Sequence, residues 1–264
     1  MLKRLLVRLT LLLAGAGVLA FLMANIQYTW DWSVVWRYRE LFLLGFKNTV
    51  LISCGAIALG LLIGLLAGMA RVSENIWLRE AATLYVWFFR GTPLLTQIFI
   101  FYFCLGVVLH FDDPLLTGMV TLAFFAGAYI TEMVRAGIES IGPGQWEAAR
   151  STGLTYSQTL RHVVFPQALR RIIPPVTGQF VSLIKDSSLL SVISVRELSK
   201  GAEMVNATTY KTFEAYLPLA VLYLLLTYPF TVLTSHLEKR MIYHSSPTRR
   251  ASKPKEPPHE QQVH

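Results

Sequence analysis

Charge is scarce in this 264-residue chain: charged residues make up 15% and hydrophobic ones 53%, with a mean hydropathy of +0.46. That balance excludes an ordinary soluble domain of this size. Cysteine is scarcer still. Cys54 and Cys104 both fall in apolar runs, so they support neither a disulfide framework nor a metal site, and each reads as a small buried apolar residue. The short alternating segments from which membrane β-barrels are built are missing. No long internal repeat is evident, which removes the usual pointer to an inverted-repeat secondary carrier. There is no Gly-x-x-x-x-Gly-Lys-Ser/Thr phosphate loop, no His-Glu-x-x-His helix and no Gly-x-Ser-x-Gly turn. No nucleophile–base pair stands in for them, so no catalytic residue and no resident cofactor or metal is expected.

What the chain has instead is long apolar runs. Six reach the roughly 20 residues that a bilayer-crossing helix needs: about 9–26, 41–70, 81–109, 115–136, 172–195 and 216–236. The reading is an all-α polytopic membrane protein. Six crossings put both termini on one side, and Lys3, Arg4, Arg8, the loop with Arg150, Arg161, Arg170 and Arg171, and the basic tail mark that side as cytoplasmic. The loop with His110, Asp112 and Asp113 has no Lys or Arg, as an outside loop should. Arg37, Arg39, Arg196, Lys200 and Lys211 fall on the outer side and dissent. The net charge of +8 is explained by these placements rather than by a nucleic-acid partner.

Three regions follow. Residues 1–40 hold an N-terminal span and an extracytoplasmic linker, although Val18-Leu19-Ala20 also fits a secretory signal cleaved after Ala20. Residues 41–240 are the membrane domain. Residues 241–264, with Ser245-Ser246-Pro247 and Lys253-Pro254-Lys255-Glu256-Pro257-Pro258, read as a disordered cytoplasmic tail in which His259 and His264 are solvated.

Within the second span Gly60, Gly64 and Gly68 share one helix face, where small residues let another helix approach closely. The polar loop at about 141–166 carries its own punctuation. Pro143 suits the first position of a short helix, capped by Gly142, that carries Trp146, Glu147, Ala148 and Ala149. Gly153 tolerates the left-handed conformation that ends it. Thr155-Tyr156-Ser157-Gln158 is a capping box for a second helix, which Phe165-Pro166 ends or re-aims. Two alanines beside one glutamate make a thin ridge with a charged handle, suited to a groove on a partner.

Ionisable residues inside spans cost about 2.5–3.5 kcal/mol on insertion scales and are functional hypotheses by default. Arg90 lies in Phe89-Arg90-Gly91-Thr92-Pro93, where Gly and Pro interrupt the helix. Its guanidinium either faces a polar cavity, as a receptor for a carboxylate, or snorkels to an interface. In Lys185-Asp186-Ser187-Ser188, Asp186 can receive an ammonium, or Lys185 and Asp186 can form a structural ion pair. Glu132 and Arg135, three apart on the fourth span, form a gate or a structural pair.

These motifs carry a resemblance. Glu147-Ala148-Ala149, Gly153 four positions after Ala149, and Val163-Val164-Phe165-Pro166 resemble the coupling loop of importer permeases in the ATP-binding-cassette superfamily. Arg90-Gly91-Thr92-Pro93-Leu94-Leu95, Lys185-Asp186-Ser187-Ser188-Leu189, Pro166-Gln167-Ala168-Leu169-Arg170 and Glu132 with Arg135-Ala136-Gly137-Ile138 resemble motifs of its polar amino acid permeases, of histidine, glutamate, glutamine or arginine type. The resemblance implies a type I importer core of five helices, with the first span added. It implies a subunit importing a polar L-amino acid across the cytoplasmic (inner) membrane. Its partners would be a second permease subunit, identical or not, a separate ATPase dimer that binds ATP, and an extracytoplasmic amino-acid-binding protein. Arg90, Gly91, Thr92, Lys185 and Asp186 would meet the substrate. Glu147, Ala148, Ala149, Gly153 and Pro166 would receive the ATPase. The rivals are a same-fold permease for another small solute such as an opine, a non-transporting scaffold or sensor subunit, and a stand-alone carrier.

Overall fold

A computed structural model describes residues 2–24, 27–111 and 113–243, and every regular element in them is helical. In chain order the helices are α1 (Leu2–Ala24), α2 (Ser33–Arg37), α3 (Arg39–Arg71), α4 (Ile76–Gly91), α5 (Leu94–Phe99), α6 (Gly106–Leu109) and α7 (Pro114–Glu139). There follow α8 (Pro143–Ser151), α9 (Tyr156–Thr159), α10 (Phe165–Asp186), α11 (Leu198–Thr209) and α12 (Thr212–Tyr243). The side chains described on α1 are all exposed.

Helices α3 and α7 form the centre because the glycine face of α3 lets them touch at backbone distance. A Cβ on Gly64 would stand 2.5 Å from Ile130 Cγ2 and 3.0 Å from the Gly127 carbonyl oxygen. On Gly68 it would stand 2.6 Å from Val134 Cβ, and on Gly60 3.1 Å from the Ala123 oxygen. In lipid, helices gain little from hiding apolar surface from one another, so such close packing is what holds them together. Ile130, Val134 and Ile138 of α7 continue into one buried cluster with Leu160, Val164, Ala168 and Ile172. Ile52, Ala56, Leu122 and Ala126 join Leu94, Ile98, Leu183 and Leu190 in a second.

Helices α3 and α7, and α12 over Thr212–Leu237, are each long and apolar enough to cross a membrane. The helices between Ile76 and Leu109 reach that length and apolarity only taken together, as a broken span or a re-entrant pair bent by 107° between Gly91 and Leu94. This is the interruption expected from Gly91 and Pro93.

Other expectations need redrawing. The fifth span expected at 172–195 is not one helix, and α10 is not among the described helices long and apolar enough to cross a membrane. It starts at Phe165 and gives way at Ser187–Ile193 to a tighter 3-10 turn. There the Ser187 hydroxyl donates back to the Ile184 carbonyl at 2.8 Å, the kind of local bond that competes with regular helix. Pro166 does not end its helix. A π-helical turn over Leu160–Val164 precedes it, and Pro166 sits in the first turn of α10, where its missing N–H is tolerated. Cys54 and Cys104 are exposed rather than buried. On α3 the buried positions are Ile52, Ser53 and Ala56, so Cys54 lies off the face packed against α7. In a membrane protein an apolar residue need not be internal. Asp112 and residues 244–264, including the tail histidines, lie outside the described residues.

Gly64→Leu should overpack the α3–α7 contact and cost at least about 1–3 kcal/mol. Thermal unfolding of the purified chain in detergent should show a clearly lowered midpoint. Gly178→Ala, where a Cβ meets nothing within 4 Å, should not lower it. An unchanged midpoint for Gly64→Leu would contradict the packing.

Candidate functional site

Pro93 has no N–H to give the Phe89 carbonyl, and the residue before a proline is driven out of helical geometry. Thr92 is accordingly extended, at φ −117° and ψ 147°. The freed carbonyls are met locally. Thr92 Oγ1 donates to the Phe88 carbonyl at 2.9 Å, and Gln97 Nε2 donates to the Phe89 carbonyl at 2.8 Å. Gln97 is fully buried, and its Oε1 has no hydrogen-bond partner. Gly91 is exposed, with open space where a Cβ would stand, so a small molecule can come close to its backbone.

Arg90 is exposed, with its guanidinium carbon 5.2 Å from the centre of the Tyr129 ring on α7. Among the described residues it forms no ion pair, and neither do Lys185 and Asp186, so the structural pair envisaged for those two neighbours is not made. Asp186 ends α10 half-buried, while Lys185 is exposed. Arg90 and Asp186 do not touch, but their motifs meet through one core cluster, Leu94 and Ile98 packing with Leu183 and Leu190.

Glu132 and Arg135 pair as their spacing suggests, Arg135 Nε donating to Glu132 Oε1 at 3.0 Å. Arg135 also reaches Glu139 one turn on. Arg71 is a member that sequence reasoning missed. Its Nη2 lies 3.7 Å from Glu132 Oε2, and its Nη1 donates to Thr83 Oγ1 on α4. Nothing in the linear chain pairs Arg71 with Glu132; only the α3–α7 contact does.

The loop folds as its punctuation dictates. Gly142 and Pro143 start α8, and Gly153 ends it at φ +86°. Gly153 N–H donates to the Arg150 carbonyl and Leu154 N–H to the Ala149 carbonyl, the paired bonds of a Schellman ending. The Thr155/Gln158 capping box is complete in both directions. Ala149 is buried, whereas Glu147 and Ala148 are exposed, so the ridge shows its charged handle outward. Trp146 stacks on Tyr156, with ring centroids 5.4 Å apart. Burial pushes the Tyr156 hydroxyl above its usual range, which keeps it a donor. Pro166 is exposed at the start of α10, and its neighbour Gln167 donates to Gln145 Oε1 of the ridge helix at 3.1 Å.

Residues 60–243 match the family described as binding-protein-dependent transport system inner membrane component. The chain is 38% identical over 209 residues to a probable glutamine ABC transporter permease protein, GlnM, of Bacillus subtilis (strain 168), covering 79% of this chain and 97% of that one. It is 37% identical over 214 residues to the glutamine transport system permease protein GlnP of Escherichia coli (strain K12), covering 80% and 97%. Among solved structures, one titled as an amino acid ABC transporter with histidines superposes with a TM-score of 0.75 at 33% identity, over 81% of this chain and all of that one.

Gln97 gives the break its testable consequence. Gln97→Leu keeps the volume but leaves the Phe89 carbonyl without its side-chain donor, at a cost of about 1–3 kcal/mol. A lowered thermal midpoint in detergent is expected. A midpoint at the wild-type value would show that the bend is held by something else.

Proposed function

Because the chain belongs to the family of binding-protein-dependent transport system inner membrane components, we propose that it imports a polar L-amino acid, with glutamine the first candidate. It is a multi-pass permease of the inner membrane and a transport component, not an enzyme. The observation that carries the substrate class is the similarity to glutamine permeases along nearly their whole length. The residues at the broken span support the same reading in chemical terms.

An amino acid presents a carboxylate and an ammonium a few ångströms apart, and a selective site supplies an opposite charge for each. Arg90 is the receptor for the carboxylate: among the described residues it makes no ion pair, and Gly91 and Thr92 leave approachable backbone beside it. Asp186, next to Lys185, is the receptor for the ammonium. Both termini face the cytoplasm, so the α8–α9 loop does too. There the exposed Glu147 and Ala148 of the ridge, anchored by the inward-facing Ala149 and fixed by Gly153 and by the entry into α10 at Pro166, seat on a separate ATPase dimer. That dimer, and not this chain, binds ATP. An extracytoplasmic binding protein delivers the amino acid, and a second permease subunit completes the pathway. Closure of the ATPase rocks the helices around the central site and opens it alternately to the two sides.

The experiment is uptake by the complete complex carrying Arg90→Ala or Asp186→Ala. Each removes one member of a charge pair made with the substrate, a loss of roughly 2–5 kcal/mol that would abolish or gravely impair uptake. The subunits should still copurify, and the binding protein should keep its affinity. Uptake with wild-type apparent affinity in both variants would place the substrate elsewhere.

A further inference from the structure

The loop that carries the ridge is tied to α10 by Gln167 Nε2, which donates to Gln145 Oε1 of α8 at 3.1 Å, and to the end of α3 by a second polar contact. Tyr156, stacked on Trp146 of the ridge helix, donates its hydroxyl to the Val72 carbonyl at 2.6 Å. Val72 is the C-cap of α3, where the last carbonyls have no partner within the helix. One residue back stands Arg71, which spans two further helices through Thr83 on α4 and Glu132 on α7. The second of those contacts is under-made. At 3.7 Å the Arg71–Glu132 pair is beyond hydrogen-bond distance, and Arg71 Nε and Glu132 Oε2 are both buried without a hydrogen-bond partner.

Both side chains are only half-buried, but the two unpartnered atoms are shut off from water, and a polar atom so placed costs free energy until it gains a hydrogen bond. A relative shift of about 1 Å would turn this contact into a charge-assisted hydrogen bond. The other oxygen of Glu132 is already occupied by Arg135, so the free oxygen is the one that faces α3. The one arrangement seen is the open one, and both unpartnered atoms are placed so that a closed one would satisfy them. The residue next to Arg71 is the one that Tyr156 holds.

We propose that Tyr156 is a positioning residue that transmits displacement of the α8 ridge to the Arg71–Glu132 pair, so that the pair closes in another state of the transport cycle. This rests on the reading of the ridge as the ATPase contact. Glu132 is then a coupling element, and Arg71, on the neighbouring helix, is its moving partner.

Proximity alone does not establish such a relay, and a double-mutant cycle does. The measurement is uptake per ATP hydrolysed in proteoliposomes holding the complete complex and its binding protein. Tyr156→Phe keeps the stacked ring and removes only the O–H. Glu132→Gln keeps the shape and removes the charge. Each should lower the ratio at least about fivefold, the low end of coupling between sites. The double variant should be no worse than the more impaired single one. ATPase copurification and hydrolysis stimulated by the binding protein should persist in Tyr156→Phe, which a merely structural defect would not allow. A wild-type ratio in Tyr156→Phe, or additive losses in the double variant, overturns the relay. Gly153→Val separates this from the reading beneath it. If that variant retains the ATPase, the ridge assignment fails and takes the relay with it. If it loses the ATPase while Tyr156→Phe keeps a wild-type ratio, the relay alone fails.

Discussion

The backbone-distance contact between α3 and α7 is the constraint on which the rest of the molecule depends. In lipid there is no apolar surface to hide, so helices associate where they fit, and Gly60, Gly64 and Gly68 provide the fit. The contact is reciprocal: a Cβ on Gly127 of α7 would stand 3.0 Å from Ile63 Cγ2 and 2.7 Å from the Tyr85 hydroxyl. Because the two axes lie so close, Arg71 on one helix reaches Glu132 on the other. The same contact aligns Ile130, Val134 and Ile138 with the loop residues Leu160 and Val164, which seats the α8–α9 loop beneath the pair.

The second constraint is the break after Gly91. A continuous helix from Ile76 to Leu109 would bury every backbone group within itself and offer nothing to a polar solute. The sequence Gly91-Thr92-Pro93 forces a bend of 107°, and the carbonyls it frees are met by Thr92 and Gln97 rather than by lipid. Irregular backbone inside a membrane is tolerable only beside protein or a hydrated cavity. Here the protein itself meets the freed groups, and Arg90 stands exposed at the end of α4, directly before the break.

Much of this was legible in the residues alone. The apolar runs announced the helices, the glycine repeat announced a packing face, and Gly142-Pro143, Gly153 and the Thr155/Gln158 box announced each turn of the loop. Those signals are local, and local physics decides them. The span over 172–195 was misplaced because apolar length cannot tell an α-helix from the 3-10 turn at Ser187–Ile193. Cys54 and Cys104 were misread because hydropathy does not separate a side chain facing lipid from one facing a neighbouring helix. Arg71 was invisible as a partner of Glu132 because their contact exists only after α3 and α7 have docked. Gln97 had a signal that went unread: a proline four residues after Phe89 leaves that carbonyl in need of a donor.

A permease of this family works with an ATPase and a binding protein carried on other subunits. The most direct measurement is accumulation of labelled amino acids by sealed proteoliposomes containing this chain, its ATPase and its binding protein. L-Glutamine or another polar L-amino acid should accumulate against its gradient only when ATP is on the ATPase side and the binding protein is on the other. Accumulation driven by an ion gradient without ATP, or none of any amino acid despite ATP turnover, would contradict it.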